Sequence, residues 1–146
     1  MKYKLIIDKE REEEIIAIVQ EPNALTDEIE NLVLSYTGKD LITGMNDDVI
    51  IQLRFSEIEC ITVIDRKMTA IDVQGIQYRI HQRLCEIEKI LPSYFVRINK
   101  STIANWNRIL RFDTVFSGAV DAVFMSGYKD YVSRRCFTEI KRRLDI

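Results

Sequence analysis

Two stretches near the C-terminus hold the side chains best suited to chemistry: Phe95 to Ile109, reading FVRINKSTIANWNRI, and Gly127 to Arg135, reading GYKDYVSRR. Each sets cations and small hydroxyl or amide groups beside strand-like segments, a donor set that meets phosphates and base edges. Catalytic groupings are poor by comparison. The one histidine, His81, stands between Arg79 and Arg83 with no Ser or Cys nucleophile signature nearby. The five glycines form neither GxGxxG nor a P-loop. Glu10, Glu12, Glu13 and Glu14 lack metal-ligand spacing and read as a solvated turn. Cys60, Cys85 and Cys136 are odd in number and make no CxxC pair, so they read as buried small hydrophobes rather than a disulfide framework or zinc site. The expectation is a protein that is not an enzyme and uses no metal or cofactor.

The charge is divided along the chain. Residues 1–60 hold 6 Lys+Arg against 14 Asp+Glu, net −8, and residues 61–146 hold 15 against 9, net +6. A whole-chain charge of −2 therefore hides a basic part able to meet a polyanion. The 146 residues, 47% apolar, suit one domain, or one domain with a small appendage, and can bury a core. No signal peptide is visible, and apolar runs such as Ile15 to Val19 are far short of the ~20 residues of a membrane helix. A cytoplasmic protein is expected.

The elements that would carry these residues follow from periodicity. Tyr3–Ile7 and Ile15–Val19 read as short strands around a charged turn. Leu25, Ile29, Leu32, Val33 and Tyr36 recur at helical spacing, with Thr26 as cap and Gly38 as terminator. Residues 1–40 thus form an acidic β-β-α unit. From residue 41 to 146 the expectation is α+β, mostly antiparallel β with short covering helices. Its strands are Leu41–Gly44, Val49–Leu53, Glu59–Ile64, Thr69–Val73, Ile76–His81, Ile109–Phe116, Ala119–Met125 and Tyr128–Val132. A short helix through Leu84, Ile87, Ile90 and Leu91 stops at Pro92. A last amphipathic helix carries Phe137, Ile140 and Leu144, with Lys141, Arg142 and Arg143 in its final turn.

From about Leu41 onward, the strand order, the LCEIEKIL helix, FVRINKSTIANWNRI and GYKDYVSRRCFTEIKRRL resemble the LytTR DNA-binding domain of bacterial transcriptional regulators. Most relatives carry a receiver domain in front. This chain is too short for one and resembles the stand-alone class. The resemblance implies an antiparallel β-fold that reads the major groove with loops rather than a recognition helix. It further implies double-stranded DNA with paired direct repeats at promoters as the target, a homodimer on that DNA, and a small membrane protein as an inhibitor.

Residue by residue, the resemblance carries three loops. In the first, Arg66 and Lys67 suit phosphates, while Met68 stands where some relatives have a polar base reader. In the second, Arg97, Asn99, Lys100 and Ser101 match an RxNKS-like signature leading into a short helix; Ser101 would meet a phosphate, and Asn99 or Lys100 a base edge. In the third, Ser133, Arg134 and Arg135 join a strand to the last helix, with Arg135 matching an arginine inserted into the major groove. Blander readings compete at several positions. Alternation could leave Arg97 on a solvated strand face. Arg108 and Arg111 fit backbone contact and plain surface charge equally. Asn105 and Asn107 fit capping or turning the chain around Trp106 better than touching DNA. Tyr94, Phe95, Tyr128 and Tyr131 fit core or strand pairing better than base stacking. The rival function is a protein-interaction module working through the acidic N-terminal segment, which could dock a partner or mask the chain's own basic surface.

Overall fold

The computed structural model describes residues 1–115 and 117–146. Helix α1 spans Ala24–Tyr36 and opens on a reciprocal cap. The Thr26 backbone N–H donates to the Asn23 side chain at 3.1 Å, and the Asn23 N–H donates to the Thr26 hydroxyl at 2.9 Å. Asn23 is thus the cap, and Thr26, the residue expected there, is its partner one turn in. Gly38 follows the helix at φ +71°, a left-handed conformation that favours glycine.

The two strands expected before α1 do not form. Residues 1–22 run as irregular chain, exposed throughout, because a strand needs a neighbour to satisfy its backbone groups and none lies beside them. The N-terminal unit is therefore one helix with a long leader.

Ten strands and two further helices follow: β1 Leu41–Asn46, β2 Val49–Arg54, β3 Ile58–Ile64, β4 Lys67–Asp72, β5 Gln77–Ile80, α2 Leu84–Glu88, β6 Phe95–Asn99, β7 Thr102–Asn105, β8 Ile109–Thr114, β9 Val120–Phe124, β10 Lys129–Val132 and α3 Arg134–Leu144. The expectation of mostly antiparallel β with short helices holds. β6 and β7, which turn FVRIN and TIAN into a hairpin, stand in addition to the strands set out from periodicity. The strand expected to reach Phe116 is followed to Thr114; Phe116 itself lies outside the described residues.

Seven strands make one antiparallel sheet in the order β2-β1-β5-β4-β3-β7-β6, and β10-β9-β8 make a second. Alternation along β3, reset by a register shift between Ile58 and Cys60, feeds two cores. Ile58 and Ile61 join Phe55, Tyr78, Tyr94, Phe95 and Ile87 of α2. Cys60 joins Ile98 and Ala104 against Ala122 and Phe124 of the second sheet and Ile140 of α3.

Gly44 in β1 marks the tightest approach in the first core. A Cβ there would lie 2.8 Å from Tyr78 Cβ and 2.9 Å from Leu53 Cδ1. Gly44→Ala should cost about 1–3 kcal/mol by overpacking, measured as a lower urea midpoint at unchanged m-value.

Polar side chains hold α1 to the β-domain. Glu30 accepts from the Ser93 backbone N–H (2.7 Å) and hydroxyl, Asn31 Oδ1 accepts from the Tyr94 hydroxyl (2.7 Å), and Asp27 accepts from Asn107 Nδ2 (3.0 Å). Burial foremost raises the Tyr94 phenol to about 12, with the Asn31 hydrogen bond opposing and Glu30 and Asp27 adding. A phenol raised above its ordinary value of roughly 10 stabilises the fold fully below pH 10 and loses that contribution as pH climbs toward 12. Stability to urea should therefore fall across that window, and fall less steeply in Tyr94→Phe. Tyr128, also raised to about 12 chiefly by burial, supplies a remaining slope.

Candidate nucleic-acid interface

Strand register brings three connections to one end of the molecule. Cys60 lies opposite Ala104 and Ile61 opposite Ile103, so β3 runs toward the turn Asp65-Arg66 at the same end where β7 leaves the turn Lys100-Ser101. The Ser133 N–H donates to Ile98 O at 2.8 Å, which sets the β10–α3 junction beside the second turn. The far end of the same strands carries Ser93 and Asn107, where α1 docks.

In the first turn, Asp65 (φ +51°) and Arg66 (φ +65°) form a two-residue hairpin loop between the paired Ile64 and Lys67. Two positive φ values in succession match the type I′ turn that suits strand twist and ordinarily recruits Asn or Gly. Arg66 and Lys67 are exposed. Met68, expected at a base-reading position, is half-buried and packs against the first core, because β4 has already begun and alternation turns its side chain inward.

The second connection corrects the expected helix. Lys100-Ser101 is a tight turn between antiparallel strands, with Asn99 opposite Thr102. Asn99 is 1% exposed; its Nδ2 donates to Tyr131 O at 2.8 Å and its Oδ1 accepts from the Ser101 N–H at 2.8 Å. That amide shapes the turn from a buried position, and the Ser101 N–H is occupied by it. Arg97 is also committed. Its Nε and Nη2 donate to the two oxygens of Glu88, each at 3.1 Å, and its Nη1 donates to Lys100 O at 2.7 Å. The Arg97 hydrogen bond foremost holds the Glu88 carboxyl below its usual range. Lys100 remains exposed at the tip, beside a half-buried Ser101.

The third connection is as expected. Ser133 caps α3, its Oγ accepting from the Cys136 N–H at 3.2 Å, and Arg134 and Arg135 are exposed in the first helical turn. Their backbone N–H groups are among those a helix cannot satisfy internally. Among the described residues, none of Arg66, Lys67, Lys100, Arg134 and Arg135 has an ion-pair partner.

A buried hydroxyl chain joins the strands that lead to these connections. Thr102 donates to Asp130 Oδ2, and because the carboxylate takes its only hydroxyl hydrogen, Thr62 donates to Thr102 across 2.6 Å. Thr62, Thr102 and Asp130 sit on β3, β7 and β10. No local pattern marks them, since a Thr in a strand is ordinary and the partners lie 28 and 40 residues apart.

The remaining positions make contacts within the chain. Asn105 donates to Ile58 O and accepts from the Asn107 N–H, so it turns the chain as expected. Arg108 donates twice to Ser56 O, and Arg111 pairs with Asp113 at 2.8 Å. Arg143 lies over the Trp106 ring at 4.6 Å and Lys141 over Phe137 at 5.1 Å. The Cys60 thiol is pushed well up, by burial first and then by Asp130 and Glu59. Among the described residues no three His, Cys, Asp or Glu side chains gather to hold a metal. No helix is long and apolar enough to cross a membrane.

Exposed cations without ion-pair partners among the described residues thus stand on strand connections at one end of an antiparallel β-domain. A family model for the LytTr DNA-binding domain matches residues 48–145, and the chain belongs to the LytTR family. Two HTH-type transcriptional regulators of Staphylococcus aureus, from strains bovine RF122 / ET3-1 and NCTC 8325 / PS 47 and themselves uncharacterized, are each 31% identical over 100% of this chain and 99% of their own length. A solved LytTr DNA-binding domain from Bacillus cereus shares the fold, with a TM-score of 0.65 at 21% identity over 73% of this chain and 98% of that one. The helix-turn-helix in the relatives' names has no counterpart here: among the described residues, strands separate every helix from the next.

Proposed function

We propose that this chain is a cytoplasmic regulator of transcription that binds duplex DNA sequence-specifically through the end bearing Arg66, Lys100 and Arg135. The observation that carries this reading is the placement of unpaired cations where local energetics disfavours them. Arg66 occupies a left-handed backbone position that suits glycine. Arg134 and Arg135 stand in the first turn of α3, whose dipole repels positive charge. A polyanion repays both costs. Arg66, Lys67, Arg134 and the Ser101 hydroxyl then serve phosphates and set the register, while Lys100 and Arg135 reach base edges, each with guanine as the natural partner. Asn99 and Arg97 act behind Lys100 by fixing its turn. Two copies, as a homodimer, would occupy neighbouring direct repeats at a promoter. The inhibitory membrane protein rests on the family resemblance alone and adds no step to this reading.

The acidic helix bears on the rival reading. α1 is docked at the end opposite the cations, so it does not cover them.

The deciding experiment titrates binding to a promoter fragment against salt and against random-sequence competitor. Affinity should fall steeply with salt, by a slope of about −0.9 per phosphate contact. Arg135→Ala should lose about 5- to 150-fold in specific affinity, corresponding to about 1–3 kcal/mol, with little change in nonspecific binding. Lys67→Ala should weaken all sequences alike. No preference for the promoter fragment would sink the sequence-specific reading, and a flat salt response would remove the phosphate contacts.

A further inference from the structure

The cations in the last turn of α3 take no part in the end proposed to read DNA. At 1.5 Å per residue, Arg143 stands about 14 Å along the helix axis from Arg134. The helix dipole favours positive charge there, but does not say where the side chains lie. Lys141 turns to Phe137, whereas Arg142 and Arg143 turn onto a cleft of about 410 Å³ between α3 and β6. β6 is an outer strand of the larger sheet, so the cleft runs along a sheet edge. Its floor is apolar, made by Val96, Trp106 and Ile140. Arg97 stands at the end toward Ser133, and Arg143, laid over the Trp106 ring at 4.6 Å, stands at the other.

We infer that this cleft binds a small, singly charged carboxylate with an apolar body. The carboxylate sits on Arg143 and Arg142, and the body lies along Val96 and Ile140 toward Arg97. Charge selects the head group. Arg97 is matched by Glu88 and Arg142 by Glu139, which leaves Arg143 the one lining cation with no carboxylate partner among the described residues. One negative charge completes the set. Stacking on the indole fixes the plane of the Arg143 guanidinium and leaves its edge N–H groups for the two oxygens of a carboxylate. The Arg142–Glu139 pair is exposed and of little strength, so Arg142 is free to turn and share the ligand. Size and floor select the body. The volume falls within the roughly 300–1,000 Å³ of small-molecule sites. From Cys136 to Arg143 the cleft follows α3 for about 10 Å, the length of a chain of about eight carbons. Since its cations lie away from Arg66, Lys100 and Arg135, this site stands whether or not the chain reads DNA.

The chain's single tryptophan, Trp106, lies in the site and reports on it. Octanoate titrated into the full chain at constant ionic strength should shift Trp106 emission saturably. Calorimetry should give one molecule per chain, with half-saturation on the order of 1 mM or below. Octanol, which lacks the charge, and inorganic phosphate, which lacks the body, should each bind at least about tenfold more weakly. Arg142→Gln with Arg143→Gln should weaken octanoate by about tenfold or more in calorimetry. Lys141→Gln, next in the helix but outside the cleft, should leave binding unchanged. All three side chains are exposed, so circular dichroism and thermal unfolding of both variants should match the native chain. No saturable response to octanoate would overturn the proposal. Octanol binding equally well would reduce the site to an apolar groove, and phosphate binding equally well to a patch of charge. A Lys141 variant as weak as the double variant would reduce it to the general field of the helix. Each of these three results also overturns it.

Discussion

Thr102→Val should lose about 1–3 kcal/mol of stability and, beyond that, most of the preference for specific over random DNA. Thr102 is fully buried, donates to Asp130 and accepts from Thr62. Valine keeps the shape but leaves the Asp130 oxygen without its donor and the Thr62 hydroxyl without its acceptor, the situation in which an unmade hydrogen bond costs most. The loss falls where three strands meet: β3 leads to Arg66, β7 begins beside Lys100, and β10 leads through Ser133 to Arg134 and Arg135 of α3. Phosphate contacts tolerate a small shift between these loops because charge attraction is broad, whereas bidentate base contacts do not. Specific affinity should therefore drop well below what reduced folding explains, while nonspecific affinity measured on the folded protein holds. Thr102→Ser restores a hydroxyl that can donate and accept, and should recover most of the specificity. Urea unfolding and a competition ratio on the same samples check both halves. A valine variant that is less stable yet retains its specificity ratio would reduce this chain of hydroxyls to a purely structural role.

How far these features can be read from sequence depends on whether the deciding physics is local. Five strands of the larger sheet, β1 to β5, show because alternation and turn residues are local, and Ser133 announces the start of α3 because a cap acts within one turn. Leader strands failed for the same reason. Tyr3–Ile7 and Ile15–Val19 have strand composition, but a strand is a relation between segments and no partner lies within the chain. Asn99 shows the opposite failure. An asparagine beside a lysine looks like a base reader until Tyr131, 32 residues later, takes its amide from behind. Arg97 likewise looked free until Glu88, on a different element, accounted for it. Lys100, Arg134 and Arg135 were legible as exposed cations, yet only the register of β3 with β7 and the Ser133 bond to Ile98 bring their loops to one end.

Arg66→Gly should make the protein more stable and a poorer ligand for DNA. The left-handed conformation at Arg66 costs a side-chain-bearing residue about 1–2 kcal/mol. Glycine removes that cost and adds about 0.5–1 kcal/mol of chain entropy to be lost on folding. The balance is a gain of up to about 1.5 kcal/mol, and the resulting Asp-Gly pair is a preferred type I′ turn. Binding should move the other way. A phosphate contact removed lowers affinity several-fold for every sequence alike and reduces the salt slope by about 0.9. Arg66→Lys separates the two effects, since lysine keeps the charge and the strained backbone and should gain no stability while retaining most of the slope. Thermal unfolding beside salt-dependent titrations of all three proteins makes the comparison. A glycine variant that melts lower would show that the turn stores no strain at Arg66. One that melts higher but binds as tightly would remove Arg66 from the interface, leaving the strained arginine without the polyanion that accounts for it.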